Sequence, residues 1–185
     1  MSMKATARAH PIQGLVKYHG MRDPELRLPY HDSISVCTAP TNTTTTVEWL
    51  DDVDAEGGAQ DTYLIDGEEV DGRAAERIAM VVDHVRELAG FDHAVRFESE
   101  NSFPSNIGFG SSSSGFAAAA LALVEAAGLD MSLPEVSTVA RRGSSSAARA
   151  VTGAFSHLYA GLNDEACRSY RLDSDLEDDL KIVAA

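Results

Sequence analysis

The stretch Ser102-Phe103-Pro104-Ser105-Asn106-Ile107-Gly108-Phe109-Gly110-Ser111-Ser112-Ser113-Ser114-Gly115 runs without a break into FAAAALALVEAAG, residues 116–128. Its glycine and serine content is that of a flexible linker. Its neighbours are not. AVRFESEN, residues 94–101, alternates apolar and polar side chains as a half-buried strand does, and the residues that follow form a helix with a broad apolar surface, stopped at Gly128. A strand, a glycine-rich turn and a helix N-terminus together leave first-turn amides pointing outward and let backbone approach an anion, which is a phosphate site. Serine hydroxyls add hydrogen bonds and can reach a phosphate-bound Mg²⁺. The spacing lacks the Gly-Lys-Ser/Thr of a P-loop and does not fit the dinucleotide fingerprint. On the residues alone, a phosphate cradle and a tight structural turn both stay open.

Upstream, ISVCTAP (34–40) and TTTTVEWL (43–50) are rich in β-branched and aromatic residues with a break at Pro40, Thr41 and Asn42, which predicts an antiparallel pair. TYLID, Gly67 and EEV carry the Asp-Gly signature of a tight hairpin over residues 63–70. Ile78, Val81, Val82, Val85 and Leu88 recur at helical spacing, with Gly90 placed to end the helix. Downstream, Ser132-Leu133-Pro134-Glu135 reads as a capping box opening a helix that ends near Gly143. A second small-residue segment, residues 142–149, leads into a short helix and a strand. The last residues, DLKIVAA, read as a core strand. Strands come first and helices follow, so the fold class is α+β, with a mixed or antiparallel sheet and helices on one face.

Of 185 residues 44% are apolar, enough for one sizeable core. No apolar run is long enough to span a membrane, and MSMKATARAH lacks the apolar core of a secretory signal, so a cytoplasmic address without membrane partners is expected. Cys37 and Cys167 show no ligand or disulfide spacing and read as ordinary buried thiols. The net charge of −14 repels nucleic acid. Only three lysines, Lys4, Lys17 and Lys181, stand among the 15 basic residues, and DDVDAEGGAQD and LDSDLEDDL concentrate acid in loops. These acidic runs read as solvated surface, and the composition suits a chain kept soluble in concentrated salt.

Three ordered motifs carry a family resemblance. Pro104-x-x-x-Gly108-Phe109-Gly110-Ser111-Ser112-Ser113 resembles the ATP-binding motif of the GHMP kinase superfamily. Leu15-Val16-Lys17-Tyr18-His19-Gly20-Met21-Arg22-Asp23, followed by Leu28-Pro29 and Ser33-Ile34-Ser35-Val36, resembles the N-terminal signature of the mevalonate diphosphate decarboxylases. Ala140-Arg141-Arg142-Gly143-Ser144-Ser145-Ser146-Ala147-Ala148-Arg149 is similar to that family's second serine loop. The resemblance implies the superfamily's N-terminal, ATP-binding domain over residues 1–185. It also implies the reaction: ATP phosphorylates the tertiary 3-hydroxyl of a phosphorylated mevalonate, and loss of that phosphate with CO₂ leaves an isopentenyl product. Gly108, Gly110, Ser111, Ser112 and Ser113 would hold ATP, with Ser112 also at Mg²⁺. Lys17 would neutralise charge at the transferring phosphoryl group. Tyr18, Ser144, Ser146 and Arg149 would hold the substrate, Arg149 by a bidentate grip on its carboxylate.

The departures from the family pattern are informative. Met21 stands where the family has a lysine towards the substrate's phosphate end, which favours 5-phosphomevalonate over its diphosphate, as in the phosphomevalonate decarboxylases of haloarchaea. His19 replaces a Trp, Ile12 an Asn with Gln13 beside it, and Ser145 and Ala148 replace Gly and Cys. No segment matches the family's catalytic aspartate, expected beyond Ala185 in a C-terminal half, so the isolated chain is expected to be poorly active. Asp23 and Asp32 are not assigned that role. The rival readings are a mevalonate diphosphate decarboxylase, a superfamily kinase that does not decarboxylate, and a non-catalytic ligand sensor. A homodimer is left open.

Overall fold

A computed structural model describes residues 3–50, 60–104 and 110–183. A five-stranded sheet runs in the order β1 (Lys4–Ala9), β6 (Thr43–Leu50), β9 (Ala94–Asn101), β7 (Thr62–Ile65), β8 (Glu68–Glu69). Only the β7–β9 pair is parallel, so the sheet is mixed. A four-stranded antiparallel sheet has the order β11 (Ser169–Arg171), β10 (Phe155–Leu158), β5 (Ser33–Cys37), β2 (Ile12–Val16). β3 (Met21–Asp23) and β4 (Leu28–Pro29) make a small hairpin.

Helices cover one face of the larger sheet. β6 alternates strictly, burying Thr43, Thr45, Val47 and Trp49. Against them lies α2 (Ser111–Ala126), whose alanines allow close approach to the sheet and whose surface is buried almost all round. α1 (Gly72–Ala89) buries Ile78, Val81, Val82 and Val85 and ends on Gly90 in the left-handed conformation. Leu88, expected on that face, is instead exposed at its edge. α3 (Leu133–Gly143) opens with the expected capping box of Ser132 and Glu135. α4 (Ala147–Thr152) packs on the four-stranded sheet.

The hairpin at residues 63–70 forms, with Asp66 and Gly67 both at positive φ as its turn requires. Two strand expectations fail. β5 and β6 do not pair: β1 and β9 occupy both edges of β6 and β2 and β10 both edges of β5, so residues 38–42 carry the chain from one sheet to the other. The run 180–183 is exposed and unpaired in this structure, following a short helix α5 (Leu176–Asp179) where a loop was expected. Apolar character alone does not make a strand; a partner edge does. Cys37 and Cys167 form no disulfide with each other; the first is half-buried rather than buried as expected, and the second is buried, where burial raises its thiol pKa.

Candidate active site

β2 starts the site. Its first residue, Ile12, donates its amide to Ser113 Oγ at 3.2 Å, which fixes the strand to the first turn of α2. Gly14 follows, and a Cβ there would stand 2.9 Å from Lys17 Cγ, so the missing side chain is what lets Lys17 fold back over the strand. The ammonium of Lys17 sits on an exposed residue. Tyr18 turns inward, and its ring centroid lies 6.0 Å from the Arg149 guanidinium.

Arg149, on α4, is 4% exposed. Its Nε donates to Ser35 Oγ at 3.0 Å and its Nη1 to Ser33 Oγ, both on β5. Burial pushes its pKa down, and among the described residues it makes no ion pair with a carboxylate. A buried guanidinium held only by neutral groups is costly unless an anion arrives to share it. Just before it, Ser144 and Ser146 face each other at 3.0 Å between their hydroxyls. The buried Ser145 instead donates to the Arg27 carbonyl.

At the first serine loop, Gly110 takes a left-handed conformation and begins α2. Ser113 and Ser114 are buried. Ser113 Oγ donates to the Gly110 carbonyl at 2.6 Å, and Ser114 Oγ lies 2.6 Å from Thr43 Oγ1. Those two hydroxyls hold the turn together. Ser111 and Ser112 are more open, and their first-turn amides have no intrahelical acceptor. Both line a cavity of about 600 Å³ with Gly115, Arg77, Asp66 and Glu68. That volume suits a nucleotide-sized ligand. Gly108 lies outside the described residues.

Arg77 is a site residue the sequence reading missed. From α1 it donates twice to the Gly143 carbonyl, at 2.7 and 3.2 Å, and stacks 4.7 Å from the Phe116 ring. It therefore bridges the cavity at the first serine loop and the start of the second. Burial first, then the nearby Arg27 and Arg73, lower its pKa. Its position beside Ile78 on a helix was the only signal available. Asp32 and Asp23 are engaged elsewhere: Asp32 receives the Ala160 amide at 2.8 Å and lies 2.9 Å from His157 Nε2, and Asp23 receives the Leu26 amide. Met21 opens the β3–β4 hairpin opposite Pro29.

Residues 9–169 match the family of diphosphomevalonate decarboxylase-like N-terminal domains. The chain belongs to this family. As a diphosphomevalonate decarboxylase-like N-terminal domain it is 76% identical, over 99% of its length, to the phosphomevalonate decarboxylase of Haloferax volcanii, of which it covers 55%. Its fold superposes on the mevalonate diphosphate decarboxylase of Staphylococcus aureus with a TM-score of 0.86 at 35% identity, covering 95% of this chain and 51% of that one. A complex of MDDEF with MVAPP, AMPPCP and magnesium also superposes at 0.86, with 31% identity and coverage of 95% and 52%. The chain thus spans about half the length of the relatives it matches. Among the described residues no helix of this decarboxylase-like domain is long and apolar enough to cross a membrane, and no group of three or more metal-ligating side chains gathers.

Proposed function

We propose that this chain supplies the ATP- and substrate-binding half of an enzyme that decarboxylates (R)-5-phosphomevalonate to isopentenyl phosphate, with ATP converted to ADP and phosphate. The observation that carries the reading is Arg149: a buried cation beside Tyr18, on the helix that follows Ser144 and Ser146, whose guanidinium hydrogen bonds among the described residues go only to the neutral Ser33 and Ser35 hydroxyls. A carboxylate-bearing substrate fits that vacancy of charge.

In the reaction the γ-phosphoryl group passes from ATP to the tertiary 3-hydroxyl oxygen. The C3–O bond then breaks with its electron pair leaving on phosphate, while the bond to the carboxylate breaks, releases CO₂ and leaves its pair as the new double bond. Gly110, Ser111 and Ser112 fit the phosphates through first-turn amides and accessible hydroxyls, and Ser113 supports them by bracing Gly110 and Ile12. Magnesium, when bound, would neutralise phosphate charge, with the exposed Ser112 hydroxyl the one placed to meet it. Lys17 steadies the charge on the transferring group. Arg149 holds the carboxylate until it leaves, and the neutral Ser33 and Ser35 that orient it do not compete for its charge. Asp23 and Asp32 are committed to other partners, so neither is assigned the hydroxyl proton.

Met21 supports the monophosphate as substrate. The hairpin's own cations are already engaged, Arg22 with the Ala160 carbonyl and Arg27 with that of Arg142, so neither replaces a lysine at residue 21. The name of the Haloferax volcanii relative agrees.

Product analysis of the protein as its gene encodes it tests the reaction class. CO₂ and ADP are expected in equal amounts from ATP and 5-phosphomevalonate. ADP without CO₂ would assign a kinase, and ATP binding without turnover of either mevalonate phosphate would assign a sensor.

A further inference from the structure

Two neighbouring arginines at the end of α3 share one carboxylate. Arg141, 0% exposed, and Arg142 both donate through Nη2 to Asp164, the first to Oδ1 and the second to Oδ2 at 2.6 Å. Arg141 also reaches the Asp164 carbonyl at 3.2 Å. The Nε atoms of both are buried without a partner among the described residues, and Asp164 is the only partner there of the Arg142 side chain. Among the described residues no other carboxylate pairs with either guanidinium: Glu87 lies against His84, and Asp32 is engaged with the Ala160 amide and His157. One carboxylate on the loop between β10 and β11 therefore orders both side chains.

What those arginines hold is the β3–β4 hairpin. Arg141 Nη1 donates to the Leu26 carbonyl, Arg27 Nε donates to the Arg142 carbonyl at 2.7 Å, and Ser145 Oγ donates to the Arg27 carbonyl at 3.3 Å. Arg22 is tied to Ala160 on the same loop as Asp164. Arg27 sits at positive φ, a conformation a non-glycine residue keeps only when its surroundings impose it. The hairpin carries Met21 at its start and directly follows Lys17 and Tyr18, and the end of α3 runs directly into Ser144 and Ser146. The two segments are thus set against each other by contacts from Arg141, the Arg142 carbonyl, Ser145 and the loop that carries Asp164.

We propose that Asp164 is a positioning residue for substrate binding: through Arg141, Arg142 and Arg27 it fixes the distance between the Lys17–Met21 segment and the second serine loop. It touches no substrate atom. ATP binding rests on α2 and the cavity beside α1, which none of the side chains bonded to Asp164 lines. The kinetic part of this inference rests on the decarboxylase reading; the structural part does not.

The test uses Asp164→Asn, Asp164→Glu and Arg27→Ala in the gene-encoded protein, with KM for 5-phosphomevalonate, KM for ATP and backbone hydrogen exchange as readouts. Asp164→Asn is expected to raise the KM for 5-phosphomevalonate on the order of tenfold, the scale on which small misplacements register. The KM for ATP stays put, and exchange over residues 21–29 speeds while that of β9 does not. Asp164→Glu restores part of the loss. Equal rises in both KM values, or a folded Asp164→Asn protein with unchanged KM and unchanged exchange, would overturn the proposal. Should Asp164→Asn not accumulate as folded protein, Arg27→Ala decides, because it cuts the side-chain tie from the hairpin to the Arg142 carbonyl and leaves the ion pairs and the Arg141–Leu26 bond intact: a selective KM rise with faster exchange over residues 21–29 supports the clamp, and unchanged KM and unchanged exchange refute it. If the wild-type protein turns over neither mevalonate phosphate, the decarboxylase reading falls, and the exchange data alone decide the clamp.

Discussion

Arg149 separates binding from stability at a single side chain. Replacing it by methionine removes an uncompensated buried ion, a gain, but strands the Ser33 and Ser35 hydroxyls, a loss, and the two are similar in size at about 1–3 kcal/mol each. Arg149→Met is therefore expected to leave the denaturant midpoint nearly unchanged while weakening 5-phosphomevalonate binding on the order of a hundredfold, as loss of a charge-assisted pair of hydrogen bonds requires. Calorimetric titration beside a denaturation curve checks this, and a collapse of stability would make Arg149 structural. Lys17→Ala should lower kcat by roughly 10²–10³ with ATP affinity little changed, since in the proposed role its charge acts on the group in transfer. The roles proposed for these residues come from the family motifs. Their geometry does not: that Ser33 and Ser35 hold Arg149 depends on how β5 lies against α4, which no local spacing encodes.

Among the elements, α2 and α3 meet at a glycine whose role is proximity. A Cβ on Gly143 would stand 2.1 Å from the Phe116 ring, and Gly143 is not at positive φ. Gly143→Ala is expected to cost about 1–3 kcal/mol by overpacking, and the same change in a Phe116→Leu background should cost less. Sequence periodicity gave α1 because it has one sustained apolar face, while the capping box and Gly143 bounded α3 and the four-residue α5 was missed. It could not give the ring that demands the glycine. It likewise missed the separation of β5 from β6, since strand propensity does not say which edge is free.

The same limit applies to Asp61, part of an acidic run that reads as solvated surface. Burial alone would raise its pKa, but hydrogen bonds from Arg86, Tyr63 and the Val95 amide prevail and hold it below the usual carboxylate range. Because its folded pKa is depressed, the stability it contributes is present above the ordinary carboxylate value of about 4 and is lost as pH falls through the lower folded value. Denaturation midpoints taken from pH 7 down to pH 3 should fall less steeply for Asp61→Asn than for the wild type. Identical acid limbs would show the pair to be inert.

For the whole molecule, a net charge of −14 sets the conditions under which everything above operates. Self-repulsion on this scale is screened by salt, so the denaturation midpoint is expected to rise as salt is raised from about 0.01 M to 1 M, over which the Debye length shrinks from about 30 to 3 Å. A midpoint independent of salt would refute an adaptation to concentrated salt. The α+β class was legible at this scale from the order of strands and helices, and the family from three short motifs that stand in order along one sequence. The approach of Tyr18 to Arg149 is a property of the fold, as are the tie from Ile12 to Ser113 and the bridge that Arg77 makes between the two serine loops. The measurement that reaches the central claim most directly is kcat/KM for ATP-dependent CO₂ release, with 5-phosphomevalonate and its diphosphate compared on the same protein and on Met21→Lys. The account predicts a clear preference for the monophosphate in the wild type, shifted towards the diphosphate by about tenfold in the variant, the worth of one added charged hydrogen bond. A wild-type preference for the diphosphate would contradict it.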